Sequence, residues 1–134
     1  MRFSTAFALL AAATGSVDAW SVWFSEDGLC SLQPGKSKRA LSSDHQGDCY
    51  TFGADMPGVS CTETTISNKG NPAFGPCGNP PWRPHSLEIV SGRGCTMFMH
   101  PNCEGPRWDT GKPFGCLWRE SNGDSTIRSF RCYD

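Results

Sequence analysis

Residues 92–105 read GRGCTMFMHPNCEG, and residues 124–134 read DSTIRSFRCYD at the end of the chain. The first stretch carries a β-rich run with Phe98 that leads into a turn containing Cys103 and Gly105. The second stretch is rich in side chains that favour extended structure. Together the two stretches predict strands joined by a tight turn, and they carry no helical periodicity.

The first part of the chain repeats this order. WSVWFSEDGLC at residues 20–30 places an aromatic strand (Trp23 or Phe24) before a turn and a cysteine, and HSLEIVSG at residues 85–92 supplies a closing strand that a serine leads. The closing strand near the C-terminus is likewise led by Ser129. We therefore expect two similar halves, of which the first is longer.

β-rich segments recur along the whole chain, separated by clusters of Gly, Pro and Asn. The candidate strands are Trp20–Phe24, Asp48–Phe52, Val59–Ile66, Ser86–Val90, Cys95–Met99 and Thr126–Cys132. Residues 68–84 hold five of the ten prolines, and this segment is predicted to be a long surface loop stapled at Cys77. These patterns predict an all-β fold, a small disulfide-rich antiparallel sandwich.

The N-terminus has the features of a secretory signal. Residues 1–19 combine a positive start at Arg2 with a short apolar centre, and Val17 and Ala19 have the spacing of a cleavage site. A buried N-terminal helix is the alternative interpretation. We expect a signal peptide over residues 1–19 and a single domain over residues 20–134, with halves at about 20–91 and 92–134.

The net charge of -1 gives no electrostatic footprint for nucleic acid or for an anionic membrane. After the N-terminal segment the sequence has no second long apolar run, so no stable membrane insertion is expected. The sequence therefore predicts neither a nucleic-acid partner nor a membrane partner.

Eight cysteines follow the predicted cleavage site, and an even number behind a secretion signal predicts a disulfide framework. They are Cys30, Cys49, Cys61, Cys77, Cys95, Cys103, Cys116 and Cys132. Zinc is the weaker alternative, because no CxxC pair occurs. The sequence does not fix the pairing among the 105 connectivities that eight cysteines allow. We expect a Cys103–Cys116 bridge, since residues 105–115 can return as a hairpin, and bridges mostly within each half.

The second half resembles a Greek-key motif of the βγ-crystallin superfamily. The family pattern consists of an aromatic residue, a second aromatic and a glycine, followed by a serine in a later strand. Phe98, Gly105 and Ser129 match this pattern, and Cys103 stands in the place of the second aromatic. The resemblance implies two Greek-key halves in which Gly105 has a positive φ, Ser129 hydrogen-bonds a bent hairpin and Phe98 packs on its corner. The first half departs from the pattern, because Leu32 stands where the family has glycine.

Small secreted relatives of this fold include plant antimicrobial proteins, a yeast killer toxin and cysteine-rich effectors of plant-pathogenic fungi. The resemblance implies a secreted, non-enzymatic effector or virulence-associated factor that acts on a host in the extracellular space. Its partner would be an extracellular host or microbial protein or a wall component. The alternatives are an antimicrobial or killer-type toxin, which the charge of -1 disfavours, and a small secreted hydrolase such as a ribonuclease.

Calcium is the first ligand to consider, because many crystallin-like motifs bind it. Aligned on Ser129, one ligand position of the family falls on the cation Arg128, which leaves Asp124 and Ser125 to supply oxygens. Calcium needs six to eight oxygen ligands. We expect a tight turn at residues 122–124, with no metal and no cofactor.

A ribonuclease would need a histidine beside a carboxylate. His45, His85, His100 and Glu88 are present, but no spacing brings them together, and His85 and His100 adjoin prolines in predicted surface loops. With all eight cysteines available for pairing, a cysteine nucleophile is not expected. The sequence therefore predicts no catalytic site.

Trp82 lies in the proline-rich segment PPWRP and is a candidate partner contact, because prolines hold such a segment extended and Trp is common at interfaces. The alternative is a Trp packed in a small core, which is the expectation for Trp108 and Trp118. The pair Lys38-Arg39 is predicted to lie in a solvated loop, with dibasic cleavage as the alternative.

Overall fold

A computed structural model describes residues 18–78, 82–111, 115–118 and 126–134. Most of the predicted signal peptide, residues 1–19, lies outside these ranges. Within them, no helix is long and apolar enough to cross a bilayer.

The described residues form ten β-strands and one short 3-10 turn at Pro101–Cys103. The strands are β1 Trp20–Ser25, β2 Ser37–Ser43, β3 Tyr50–Thr51, β4 Ser60–Ile66, β5 Pro72–Pro76, β6 Ser86–Ser91, β7 Gly94–Phe98, β8 Arg107–Asp109, β9 Leu117–Trp118 and β10 Ser129–Tyr133. Sheet 1 has the order β5-β4-β2-β1-β6-β9, and sheet 2 has the order β3-β10-β7-β8. The predicted all-β antiparallel sandwich is confirmed, while the Greek-key form of its halves stays a prediction.

The two halves of the chain are built alike and exchange strands. In sheet 1, β1 lies between β2 and β6, and in sheet 2, β7 lies between β8 and β10. The strand β3 of the first half pairs with β10 of the second, and β9 of the second half pairs with β6 of the first. Each half therefore contributes an edge strand to the sheet of the other, and neither sheet has its full set of strands from one half alone.

The central aromatic cluster explains why the sheets pack face to face. Phe130 is fully buried, and its ring lies 4.9 Å from that of Phe24 and 5.3 Å from that of Phe52 between centroids. Trp20 and Tyr50 complete the cluster at 5.9 and 5.5 Å from the same ring. Alternation along β1 and β10 places these side chains on the inner faces, so the core joins residues from both halves.

All six predicted strands overlap an observed strand, but β2, β5, β8 and β9 were not predicted. The most central of these is β2, which hydrogen-bonds to β1 on one side and β4 on the other. The prediction of a solvated loop at Lys38-Arg39 is therefore wrong, and Arg39 is only 5% exposed. Dibasic cleavage is disfavoured for the same reason, because a protease needs this backbone free of its sheet partners.

The predicted proline-rich loop over residues 68–84 contains a strand after its initial turn. This strand is β5, which pairs with β4 at the edge of sheet 1 and begins and ends with proline, Pro72 and Pro76. Prolines are tolerated on edge strands, where they also discourage pairing with another chain. The Cys61–Cys77 disulfide staples this hairpin, as expected for a loop held at Cys77.

Candidate functional site

The turn after β7 is a folded hairpin closed by Ser129. The Ser129 hydroxyl accepts a hydrogen bond from the Cys103 N–H at 2.9 Å and donates one to the His100 carbonyl at 2.5 Å. Cys103 and Gly105 both have left-handed backbones, with φ of 57° and 78°. Phe98, at the strand end opposite Ser129, is buried. The positive φ of Gly105 and the hydrogen bonds of Ser129 are those expected, while the packing of Phe98 on the hairpin corner stays a prediction.

The turn after β1 has the same construction. The Ser86 hydroxyl accepts a hydrogen bond from the Cys30 N–H at 2.9 Å and donates one to the Asp27 carbonyl. Cys30 has a φ of 55°, close to that of Cys103. Ser25 lies opposite Ser86, just as Phe98 lies opposite Ser129, so Ser25 is the residue of the first half that corresponds to Phe98. The predicted correspondence of Phe98 with Trp23 or Phe24 is therefore wrong. The sequence signals for this hairpin were Ser86 and Cys30. Leu32, which stands where the family pattern has glycine, does not prevent the hairpin from forming.

A carboxylate accepts hydrogen bonds within the first hairpin, which is the name used here for the turn after β1; the turn after β7 is the second hairpin. Asp27 accepts hydrogen bonds from the Ser31 hydroxyl at 2.7 Å and from the Leu29 N–H at 2.8 Å. These two bonds favour the ionised form and lower the pKa of Asp27 below its usual value. Because the folded pKa lies below the unfolded one, this contribution to stability is present at neutral pH and is lost as the pH falls through the folded pKa.

Two disulfides occupy equivalent positions in the halves. Cys30 of the first hairpin bonds Cys116, which directly precedes β9, and Cys103 of the second hairpin bonds Cys49, which directly precedes β3. Each bridge therefore ties a hairpin to the strand that the other half contributes. Cys30 and Cys103, at equivalent positions of the two hairpins, are both cross-links between the halves.

The predicted Cys103–Cys116 bridge is therefore wrong, and so is the expectation that bridges mostly stay within a half. Strand exchange brings Cys49 and Cys116 to the hairpin of the opposite half. Only Cys61–Cys77 and Cys95–Cys132 join cysteines of the same half. The prediction that all eight cysteines are paired is confirmed.

Replacing Ser129 with alanine is expected to destabilise the protein by about 1–3 kcal/mol, because the Cys103 N–H and the His100 carbonyl then lose their partner. Ser86→Ala should have a similar effect, since the contacts repeat. Urea unfolding followed by tryptophan fluorescence measures both. Ser60→Ala, at an exposed position of β4, is the matched control and should change the free energy of unfolding little. Equal stability of all three variants would contradict the role of the two hydroxyls.

Gly105→Val is expected to cost about 1–3 kcal/mol through backbone strain, because a β-branched residue disfavours a φ of 78°. A side chain here also meets His100, since a Cβ would lie 2.5 Å from its Nδ1. Repeating the substitution in a His100→Ala background removes the clash and leaves the strain. Thermal melting of the four proteins should show partial recovery, and no loss of stability in either background would refute the strained turn.

Trp82 is not a partner contact, and that prediction is wrong. Its side chain is only 6% exposed, and its indole N–H donates to the Ser37 hydroxyl at 2.6 Å. The Arg39 guanidinium stacks over its ring at 4.6 Å and lies beside the Glu63 carboxylate, with Nε to Oε1 at 3.5 Å. The ring also contacts Phe52 at 5.4 Å. Trp82 therefore covers a compensated ion pair at the border of the core, which is the alternative that the sequence left open.

Two other tryptophans, Trp108 and Trp118, were also predicted to lie in the core. Trp108 is half-buried and packs against the core, and the side chain of Trp118 lies outside the described part of the structure.

The structure places Glu88, His45 and His100 on separate elements. His100 lies in the second hairpin, next to sheet 2, whereas Glu88 is on sheet 1 and pairs with Lys38 at 3.6 Å. His85 precedes β6, and exposed His45 lies 3.5 Å from both Asp44 and Asp48. Within the described ranges, no three His, Cys, Asp or Glu side chains are grouped as metal ligands. The calcium residues considered above, Asp124 and Ser125, fall outside those ranges.

The outer face of sheet 1 is the feature that sequence analysis missed. We use this name for the solvent side of β6, β1, β2, β4 and β5, which carries Glu88, Trp23, Lys38, Thr64 and Phe74. Trp23 is 40% exposed and Phe74 is 74% exposed. The first hairpin folds over one end of this face and presents Leu29, which is 63% exposed. Alternation along β1 could have marked Trp23, because its neighbours Val22 and Phe24 point inward.

Comparison with protein-family models, with curated proteins and with solved structures gives no match.

Proposed function

We propose that the chain is a secreted, non-enzymatic, cysteine-rich protein that acts by binding a host component in the extracellular space, as a fungal effector does. The observation that carries the proposal is the disulfide framework. All eight cysteines are paired, and two bridges connect the halves. Such a framework forms and persists in oxidising compartments outside the cytosol.

The distribution of polar side chains supports binding over catalysis. Glu88 is engaged by Lys38, and Arg39 is engaged by Glu63 beneath Trp82. These charged groups neutralise each other and hold the strands together. The aromatic side chains of the outer face of sheet 1 remain available to a partner.

The proposal is tested with purified oxidised protein infiltrated into leaf tissue, where ion leakage measures the response of the host. We expect a response that reduction of the disulfides abolishes. Replacing His85 and His100 together with alanine, while Glu88 on the outer face of sheet 1 is kept, should leave it within a few-fold of wild type. A hydrolase that uses these groups as acid and base would instead lose about 10²–10⁴-fold in activity.

Two parallel assays separate the alternatives. Growth inhibition of bacteria or yeast without a leaf response would favour the antimicrobial toxin. Cleavage of RNA that disappears in the double variant of His85 and His100, with the fold intact by circular dichroism, would overturn the non-enzymatic proposal.

A further inference from the structure

The outer face of sheet 1 differs in character from the rest of the described surface. Of the five large apolar side chains that are exposed in the described ranges, Trp23 and Phe74 lie on this face and Leu29 lies on the hairpin folded over its end. On the outer side of sheet 2, the corresponding positions of β7 and β8 carry Thr96 and Asp109, which hydrogen-bond each other at 2.6 Å. The apolar exposure is therefore concentrated on one side of the sandwich.

Trp23 is held in a fixed orientation. The Lys38 ammonium lies 4.4 Å from the centroid of its ring. The same ammonium is 3.6 Å from the Glu88 carboxylate and donates to the Cys30 carbonyl at 3.3 Å. Glu88 lies directly opposite Trp23 in the neighbouring strand. A ring held in this way loses little conformational freedom when a ligand binds.

The second aromatic ring lies at a distance that the sheet fixes. Phe74 is on β5, three strands from Trp23 on β1, so the two positions are about 14 Å apart perpendicular to the strands and offset by two residues along them. Thr64 lies between them, opposite both Lys38 and Phe74, and Thr62 lies opposite Ala40, the cross-strand neighbour of Trp23. The surface therefore alternates aromatic platforms with hydroxyl groups.

From this geometry we propose that the outer face of sheet 1 binds a neutral polysaccharide, laid across the strands from Trp23 to Phe74. This inference rests on the proposed function and names the partner class within it. A sugar ring presents a C–H face that stacks on an aromatic ring and a rim of hydroxyls that hydrogen-bond to threonine. A chain of such rings matches two separated platforms with hydroxyls between them.

Two observations favour a neutral polysaccharide over a charged ligand or a protein. The charged groups beside Trp23 pair with each other, so this part of the face attracts neither anions nor cations. Protein hot spots cluster in packed pockets near the centre of an interface, whereas Trp23 and Phe74 are separated by two polar strands.

The test is cosedimentation of the oxidised protein with insoluble chitin, cellulose and β-1,3-glucan. We expect binding to at least one of them, unchanged between low and high salt. Trp23→Ala and Phe74→Ala should each weaken it about tenfold. Tyr133→Ala is the matched control, because Tyr133 is also 40% exposed but lies on sheet 2. It should bind as wild type does.

Absence of binding to all three polysaccharides would overturn the inference, and so would unchanged binding by both aromatic variants. A host protein that cross-links to wild type but not to Trp23→Ala or Phe74→Ala, without any polysaccharide binding, would overturn it in favour of a protein partner. The leaf response distinguishes a failure of the polysaccharide inference from a failure of the proposed function. If polysaccharide binding fails while the leaf response persists in the double variant of His85 and His100, only the present inference falls.

Discussion

Removal of the Cys30–Cys116 disulfide by alanine at both positions is expected to give the largest loss of stability of any single bridge. Its cysteines are 86 residues apart, against 16 for Cys61–Cys77. The chain-entropy relation gives about 4.6 kcal/mol for the longer loop and about 3.1 kcal/mol for the shorter one. These are upper figures, because the remaining bridges already constrain the unfolded chain.

Urea unfolding under non-reducing conditions measures the effect, with the Cys61→Ala, Cys77→Ala double variant as the control. We expect the control to unfold at a higher urea concentration than the Cys30→Ala, Cys116→Ala variant, because its bridge only staples a hairpin at the edge of sheet 1. Removing the equivalent bridge Cys49–Cys103, with a separation of 54, should resemble removal of Cys30–Cys116. Equal midpoints for all three double variants would show that strand exchange does not control stability.

Phe130→Ala is expected to destabilise the protein by about 3–5 kcal/mol, because it opens a cavity where the side chain is fully buried. Phe130 contacts Trp20 and Phe24 from the first half, so its loss weakens the joint core. Phe74→Ala removes the same side chain at a position that is 74% exposed and should change stability by less than about 0.5 kcal/mol.

Thermal melting and urea unfolding of the two variants provide the comparison. A small loss for Phe130→Ala, or similar losses for both, would mean that the two sheets are not held together by this aromatic cluster.

The sequence by itself determined the class of the fold. Extended segments bounded by Gly and Pro predict strands locally, because alternation and turn formation depend on neighbours in the chain. For the second hairpin, the resemblance to a Greek-key motif implied a positive φ at Gly105 and hydrogen bonds from Ser129, and both are observed. The even number of cysteines predicted complete pairing.

The strand β2 shows where local information ends. Its sequence, SKRALSS, has the composition of a solvated loop. It forms a central strand because β1 and β4 supply hydrogen-bond partners on both sides, and because Trp82 and Glu63 compensate the buried charge of Arg39. These partners are distant in sequence, so no window of residues contains them.

Tertiary structure alone decided the disulfide map and the exposed surface. Cys103 is near Cys116 in sequence, yet it bonds Cys49, because the second hairpin packs beside the strand that the first half contributes. Trp82 is buried, against the prediction, and Trp23 is exposed for a related reason. Burial depends on what covers a side chain: the core border covers Trp82, whereas Trp23 stands on the outer side of a sheet whose inner side forms the core.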